Sequence, residues 1–303
     1  MGHPVAVPRL LPFLIFLAVA LTLVGGMHYY IWVRFVRDLH LPHPWVLVLT
    51  VAIIAAALAM PATLIAVRLL PSAAVRPAIW VAFIWMGVGF LLVAFLGIAD
   101  AGRLVAFVIA RVRGPSDPDP ARRVLLARSL AAGVGGVVAG LSALGLRSAL
   151  AGVQIKELDI KLRGLPRELA GLRLVQISDV HVGPLLRKDW VAHVVERVRS
   201  LSPDLPAALE GRDPSRALVL LAHQPRQFPE AARLGVPLTL CGHTHGGQIW
   251  PFSWIVALAQ PYLAGLYRRG DAQLYVSRGT GFWGPPMRVF APAEITLLRL
   301  QPA

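Results

Sequence analysis

One cysteine, Cys241, stands among 303 residues. A lone thiol excludes an intrachain disulfide and any zinc site assembled from cysteines. It closes the apolar run 236–240, which predicts a small buried residue at a strand end. Charge is missing over long stretches: none falls between Arg9 and Arg34, between Asp38 and Arg68, or between Arg76 and Asp100. Also absent is any Lys/Arg cluster interleaved with aromatics, which argues against a nucleic-acid partner. The charge-free stretches hold no acid, base or histidine pair of the kind that marks a transport path.

Apolar residues are in excess. They make up 56% of the chain, with a mean hydropathy of +0.63, against about 45–50% in an ordinary soluble domain. Part of the chain is therefore expected in lipid. Each charge-free stretch exceeds the ~20 residues that a helix needs to cross a bilayer. Four transmembrane helices are predicted near 10–31, 45–67, 78–99 and 129–146, which makes residues 1–150 a membrane domain. The first is longer than the roughly 7–15-residue core of a signal peptide and no clear cleavage site follows it, so it reads as an uncleaved helix. The last contains Gly136-Val-Val-Ala-Gly140, a small-xxx-small spacing that lets helix backbones approach, though composition alone produces it often. His28 is expected at the membrane boundary, His40 and His43 in a Pro-containing loop, and 114–120 as a turn-rich connector.

The formal charge is +14, from 12 Lys+Arg against 4 Asp+Glu in residues 1–150 and 18 against 12 in 151–303. Basic residues beside apolar spans favour a membrane surface as the partner. Arg34, Arg37, Arg103, Arg111, Arg113, Arg122, Arg123 and Arg128 fall on one side of the predicted spans. Arg9, Arg68, Arg76 and Arg147, then Lys156 of the following domain, fall on the other. The richer side is expected in the cytoplasm, which puts the C-terminal domain outside it.

From Val153 the pattern changes to short apolar strands. They are predicted over 153–162, 172–177, 217–222, 236–241, 274–277 and 295–300, with a helix over 187–200 whose Trp190, Val194, Val195 and Val198 share a face. His193 on that helix reads as a surface residue. Strands mixed with helix suggest an α/β layered domain over 151–303. Three of the strands run into Asp179-Val-His181, His223-Gln-Pro225 and Gly242-His-Thr-His245-Gly-Gly247. A single histidine at a strand end is more often a surface cap than a ligand. Three such ends in series point to a metal site, because Asp179 offers a hard oxygen and His181, His223, His243 and His245 offer imidazole nitrogens. Such mixed sets suit Mn, Zn or Fe rather than Ca.

Gln176-Ile-Ser-Asp-Val-His181, Leu221-Ala-His-Gln-Pro225 and Cys241-Gly-His-Thr-His-Gly-Gly-Gln248 resemble the calcineurin-like metallophosphoesterases, and the tail Ser277-Arg-Gly-Thr-Gly-Phe-Trp-Gly-Pro-Pro-Met-Arg288 looks like their membrane-anchored bacterial type. The resemblance covers roughly 153–300. It implies a metallophosphoesterase-like β-sandwich flanked by helices. It also implies a first metal held by Asp179, His181 and His245, and a second contacted by His223 and His243. That family also uses a bridging Asp from a Gly-Asp motif, and an Asn and a catalytic His from Gly-Asn-His-Glu. This chain has no asparagine, and its one Gly-Asp, Gly270-Asp271, follows Gly-His-Thr-His instead of preceding it. The sequence from Ser202-Pro-Asp-Leu205 to Gly211-Arg-Asp-Pro-Ser215 suggests an internal deletion near 203–212 that leaves the domain incomplete. Glu210 and Asp213 near this junction read as loop acids. Without the bridging carboxylate, one tightly bound metal is expected rather than two, with His223 and His243 left as phosphate contacts.

The implied function is a membrane-anchored, metal-dependent phosphoester hydrolase, a phosphatase or phosphodiesterase of weak activity. Membrane attachment makes a lipid-linked phosphoester one candidate substrate. The alternative is a degenerate relative that binds a metal or a membrane partner without turnover.

Overall fold

The computed structural model describes residues 10–113, 119–181, 193–194, 196–197 and 218–303. The junction near 203–212, with Glu210 and Asp213, lies outside these residues. So does most of the helix expected over 187–200; the residues described there are helical, with His193 exposed and Val194 buried.

Four helices come first: α1 (Leu10–Phe35), α2 (His43–Leu69), α3 (Ser72–Arg113) and α4 (Pro120–Leu150). All four are long and apolar enough to cross a membrane. Each outruns the apolar stretch that announced it, because the flanking Arg, Ala and Leu residues are themselves good helix formers. The ends are set by turn chemistry. Pro42 precedes α2 and makes His43 its first residue rather than part of a loop. Asp119 caps α4, its Oδ1 accepting from Ala121 N at 3.0 Å, and Pro120 opens the helix, where a missing N–H costs nothing.

The chain forms two compact units, one of Met1–Pro71 and Val88–Ala139, the other of Ser72–Gly87 and Gly140–Ala303. In the first, Arg34 pairs with Asp38 and with Asp100, each at 2.7 Å, and Tyr30 donates to Asp100 at 2.5 Å. Asp100, which ends the third charge-free stretch, is thus neutralised by a neighbouring helix. His28 is buried, and its Nδ1 lies 2.8 Å from the carbonyl of Val24 one turn back. Apart from the adjoining backbone of their own helix, no atom of the described residues lies within 4 Å of where a Cβ on Gly136 or Gly140 would sit.

The second unit carries two sheets. In order of residue number the strands are β1 (Gln154–Leu162), β2 (Leu172–Gln176), β3 (Val219–Leu221), β4 (Leu238–Cys241), β5 (Gly265–Arg269), β6 (Ala272–Val276) and β7 (Glu294–Pro302). One sheet has the order β1-β7-β2 and the other β3-β4-β6-β5. β7 is central in the first, parallel to β1 and antiparallel to β2. In the second, β3, β4 and β6 are parallel, and β5 joins β6 as a hairpin. Ile160, Leu162, Leu298 and Leu300 of the first sheet pack with Leu238, Leu240 and Tyr275 of the second. The core therefore lies between the sheets, a sandwich. Two short helices, α5 (Phe228–Arg233) and α6 (Phe252–Ala259), flank it.

Observed strands start or stop within a few residues of the predicted ones. Gly270-Asp271 is the turn of the β5–β6 hairpin, with Asp271 paired to Arg163 at the surface. Among the described residues, β2 and β3 are both end strands of their sheets. A cavity of about 330 Å³ is lined by Leu174–Ser178 on the β2 side and by Leu221–His223 and Leu240–Gly242 on the other. Leu221 is 74% exposed at this edge.

Candidate metal centre

Three strands deliver the chemistry. β2 runs into Asp179 and His181, β3 into His223, and β4 into His243 and His245. Gln176 Nε2 donates to the Cys241 carbonyl at 2.9 Å, and the Gly242 N–H donates to the His223 carbonyl at 3.2 Å. These bonds tie the ends of all three strands together across the two sheets.

The backbone at the site is unusual. Seven non-glycine residues among those described have positive φ, and four of them are Asp179, His181, His243 and His245. Asp and His tolerate this left-handed region better than most side chains, and strained backbone gathers at functional sites. Gly242 is required by close approach, because a Cβ there would collide with the Asp179 carboxylate and Ser178.

Asp179, His181 and His245 each offer a donor atom, and these atoms lie within 4.8 Å of one another. His181 Nε2 is 3.0 Å from His245 Nε2, and His245 Nε2 is 3.8 Å from Asp179 Oδ1. Both separations are shorter than two metal–ligand bonds laid end to end, about 4 Å, so the donor set fits a single divalent cation. The His223 and His243 rings meet edge to face at 4.9 Å. His243 is joined to the triad by its backbone, its N–H reaching both Asp179 oxygens at 3.0 and 3.1 Å. All five residues singled out in the sequence thus gather at one place. Asp179 is the sole carboxylate in the described metal-binding group.

The electrostatics match. The Asp179 side chain is 2% exposed. Burial alone would raise its pKa, but the bond from Ser178 Oγ at 2.5 Å, the His243 N–H and the nearby histidines hold the carboxyl below its ordinary value. His245 is pushed down to about 3, by burial first and then by the Arg288 cation. His243 is lowered by burial and by His223. At neutral pH the site therefore presents a carboxylate beside unprotonated His243 and His245, the forms that bind metal.

Arg288 is a participant to which sequence reasoning gave no role. It is 1% exposed. Its Nη2 lies 3.0 Å from His245 Nδ1 and also donates to the Gly281 carbonyl; its Nη1 donates to the carbonyls of Arg278, Ala291 and His245 at 2.9, 3.2 and 3.3 Å. The loop so gathered supports the Asp179 turn directly: Thr280 N donates to Ser178 O at 2.9 Å and Gly281 N to Asp179 O at 3.0 Å. The signal was the tail motif 277–288, which ends on Arg288. Nearby, Glu294 is buried and accepts from Tyr275 at 2.6 Å and from the Arg278 N–H at 3.1 Å.

A strand-end carboxylate and histidine set of this geometry defines a candidate metal centre in a layered α/β sandwich. In sequence, the chain is homologous to proteins named metallophosphoesterases, among them transmembrane ones. It is 46% identical over 125 residues to an uncharacterized metallophosphoesterase of Helicobacter pylori strain J99, covering 41% of this chain and 34% of that protein. A transmembrane protein with metallophosphoesterase domain from Bos taurus is 48% identical over 103 residues, 33% of this chain and 23% of that one. An uncharacterized metallophosphoesterase of Bacillus subtilis is 35% identical over 104 residues, 33% of this chain and 36% of that one. The chain thus matches about a third or less of the length of these relatives. No family model matches it, and no solved structure matches it significantly.

Proposed function

We propose that this chain is a multi-pass membrane protein whose residues 151–303 form a calcineurin-like, metal-dependent phosphoester hydrolase domain carried by a membrane domain of residues 1–150. The observation that carries the reading is the convergence of Asp179, His181 and His245 on one point, with the His243 N–H fixed on the same carboxylate. Asp179, His181 and His245 would hold one Mn, Zn or Fe ion. A divalent cation held there supplies Lewis acidity toward a phosphoryl oxygen and activates water at neutral pH.

The chain's own groups do the rest. The Ser178 and His243 bonds keep Asp179 ionised and aimed. Arg288 Nη2 lies 3.0 Å behind His245 Nδ1 and confines the ring by contact; a guanidinium only donates, so it does not take up the Nδ1 proton of a ring that ligates through Nε2. His223, exposed, and His243, half-buried, present ring nitrogens beside the triad, where they would donate to the phosphate and stabilise charge developing on it. The Lys/Arg distribution supports a domain outside the cytoplasm. The missing asparagine and the position of Gly270-Asp271 after Gly-His-Thr-His support an internal deletion near 203–212.

The test is turnover of an aryl phosphate and an aryl phosphodiester by the full chain with added Mn or Zn. Metal-dependent hydrolysis that disappears in Asp179→Ala and His245→Ala supports the reading; hydrolysis indifferent to both substitutions contradicts it. A second reading, a metal-binding relative without turnover, is favoured by the absence of asparagine and of a second carboxylate in the described group. Bound metal with no hydrolysis selects it.

A further inference from the structure

α6 has no buried residue. Trp254, Ile255 and Leu258 on it are 62, 57 and 90% exposed, and Trp283 and Phe290 nearby are 67 and 70% exposed. They belong to one surface: the Trp250 ring packs edge to face on Trp254 at 5.4 Å and on Phe290 at 6.0 Å, and Gln248 bonds both the N–H and the carbonyl of Trp283. A helix with such a face is rare at a water-facing surface.

Two further observations say what covers it. First, the loop that carries Trp283 and Phe290 is seated on membrane helices. A Cβ on Gly87 of α3 would lie 2.7 Å from Met287 Sδ and 3.1 Å from Pro285 Cβ, and one on Gly145 of α4 would lie 2.7 Å from Val289 Cγ2. The Arg288 N–H donates to the Gly145 carbonyl at 2.9 Å. Both glycines fall inside charge-free runs, Arg76 to Asp100 and Arg128 to Arg147, so the loop reaches helix surface suited to hydrocarbon. Second, the face is rich in tryptophan, a residue enriched where a membrane meets water. Apolar side chains on a short helix lying at that level insert into the boundary between head groups and acyl chains.

We infer that the face made by α6, Trp283 and Phe290 inserts into the bilayer surface and holds the Asp179–His245 site against it, so that the phosphoester it takes is carried on a lipid. α6 is coupled closely to the site, since Ser253 packs against Gly247, two residues past His245. The substrate half of the inference rests on the hydrolase reading; the insertion half does not.

The insertion is tested on the full chain in nanodiscs of phosphatidylcholine and phosphatidylglycerol, with a nitroxide placed at Leu258→Cys or Trp283→Cys. The native Cys241 is buried. Both labels should relax faster with oxygen than with a water-soluble nickel chelate, and a label at Leu221→Cys should do the reverse. Chelate access at 258 and 283 equal to that at 221 overturns the insertion. So does exclusion of both reagents, which marks a protein contact. For the substrate, a Trp254→Ser, Ile255→Ser, Leu258→Ser variant should lose about tenfold in turnover of a lipid-borne phosphodiester while hydrolysing a soluble aryl phosphate unchanged. Equal loss on both overturns the lipid assignment. If the unmodified chain hydrolyses neither, the hydrolase reading falls and takes the substrate half with it, and the nitroxide result alone decides the insertion.

Discussion

The Arg288 guanidinium stands 3.0 Å behind His245 Nδ1 while its own backbone N–H is bound to Gly145 of a membrane helix. One residue thus connects the candidate metal centre to α4. Among the described residues the buried side chain has no direct carboxylate contact, and five backbone carbonyls share its donors.

Replacing Arg288 with Met strands those carbonyls in a dry interior. A buried acceptor left unmade costs about 1–3 kcal/mol, so a loss on the order of 3 kcal/mol or more is expected in thermal unfolding. Metal affinity should fall as the His245 ring loses the side chain that confines it. Arg288→Lys, with one ammonium in place of a fork, should fall between. Isothermal titration with Zn distinguishes the three proteins.

Gly242→Ala is expected to act on the centre rather than on the fold. Its Cβ would sit in the space of the Asp179 carboxylate and Ser178. Metal binding should be lost while far-UV circular dichroism stays unchanged. Retained binding would mean that Asp179 is free to move.

Acid should destabilise the metal-free domain in a defined window. His245 titrates at about 3 when folded, against 6.5 for an ordinary imidazole. Between those values the unfolded chain takes a proton that the folded chain refuses. Stability from this source is fully present above about pH 6.5 and is lost as pH falls toward 3. Asp179, whose folded value lies below the ordinary 3.8, adds a loss of the same sign at lower pH. Unfolding followed in detergent with chelator at pH 7.5 and 4.5 should show a larger drop for the unsubstituted chain than for His245→Phe.

Cys241 is 1% exposed, and burial pushes its thiol up to about 12. Near pH 8 the reactive thiolate is about one part in ten thousand. Maleimide should leave the folded chain unlabelled and modify it fully after denaturation.

Much of the site was legible because its residues are local to strand ends. Asp179 and His181 follow β2, His223 follows β3, and His243 and His245 follow β4, so reading three strands located five side chains. The Arg288–His245 bond was not legible. It joins residues far apart in the chain, and an arginine in sequence looks like a surface residue. α6 escaped for a different reason: Phe252-Ser-Trp-Ile-Val-Ala-Leu-Ala259 is apolar on every side, so no periodicity marks it as helix. β5 was missed because Gly265-Leu-Tyr-Arg-Arg269 lacks an alternating apolar face. Strand order was beyond reach as well. β7, the last strand, pairs between the first two, a long-range choice made by the shared core of Ile160, Leu298 and Leu300.

Metal content of the full chain, purified with Mn or Zn and measured by plasma mass spectrometry, bears most directly on the centre. One cation needs Asp179, His181 and His245, and among the described residues no second carboxylate is present in that group to hold another. The expected result is about one tightly bound ion per chain, falling to background in Asp179→Ala and in His245→Ala. Two ions per chain, or one ion that survives both substitutions, would contradict it.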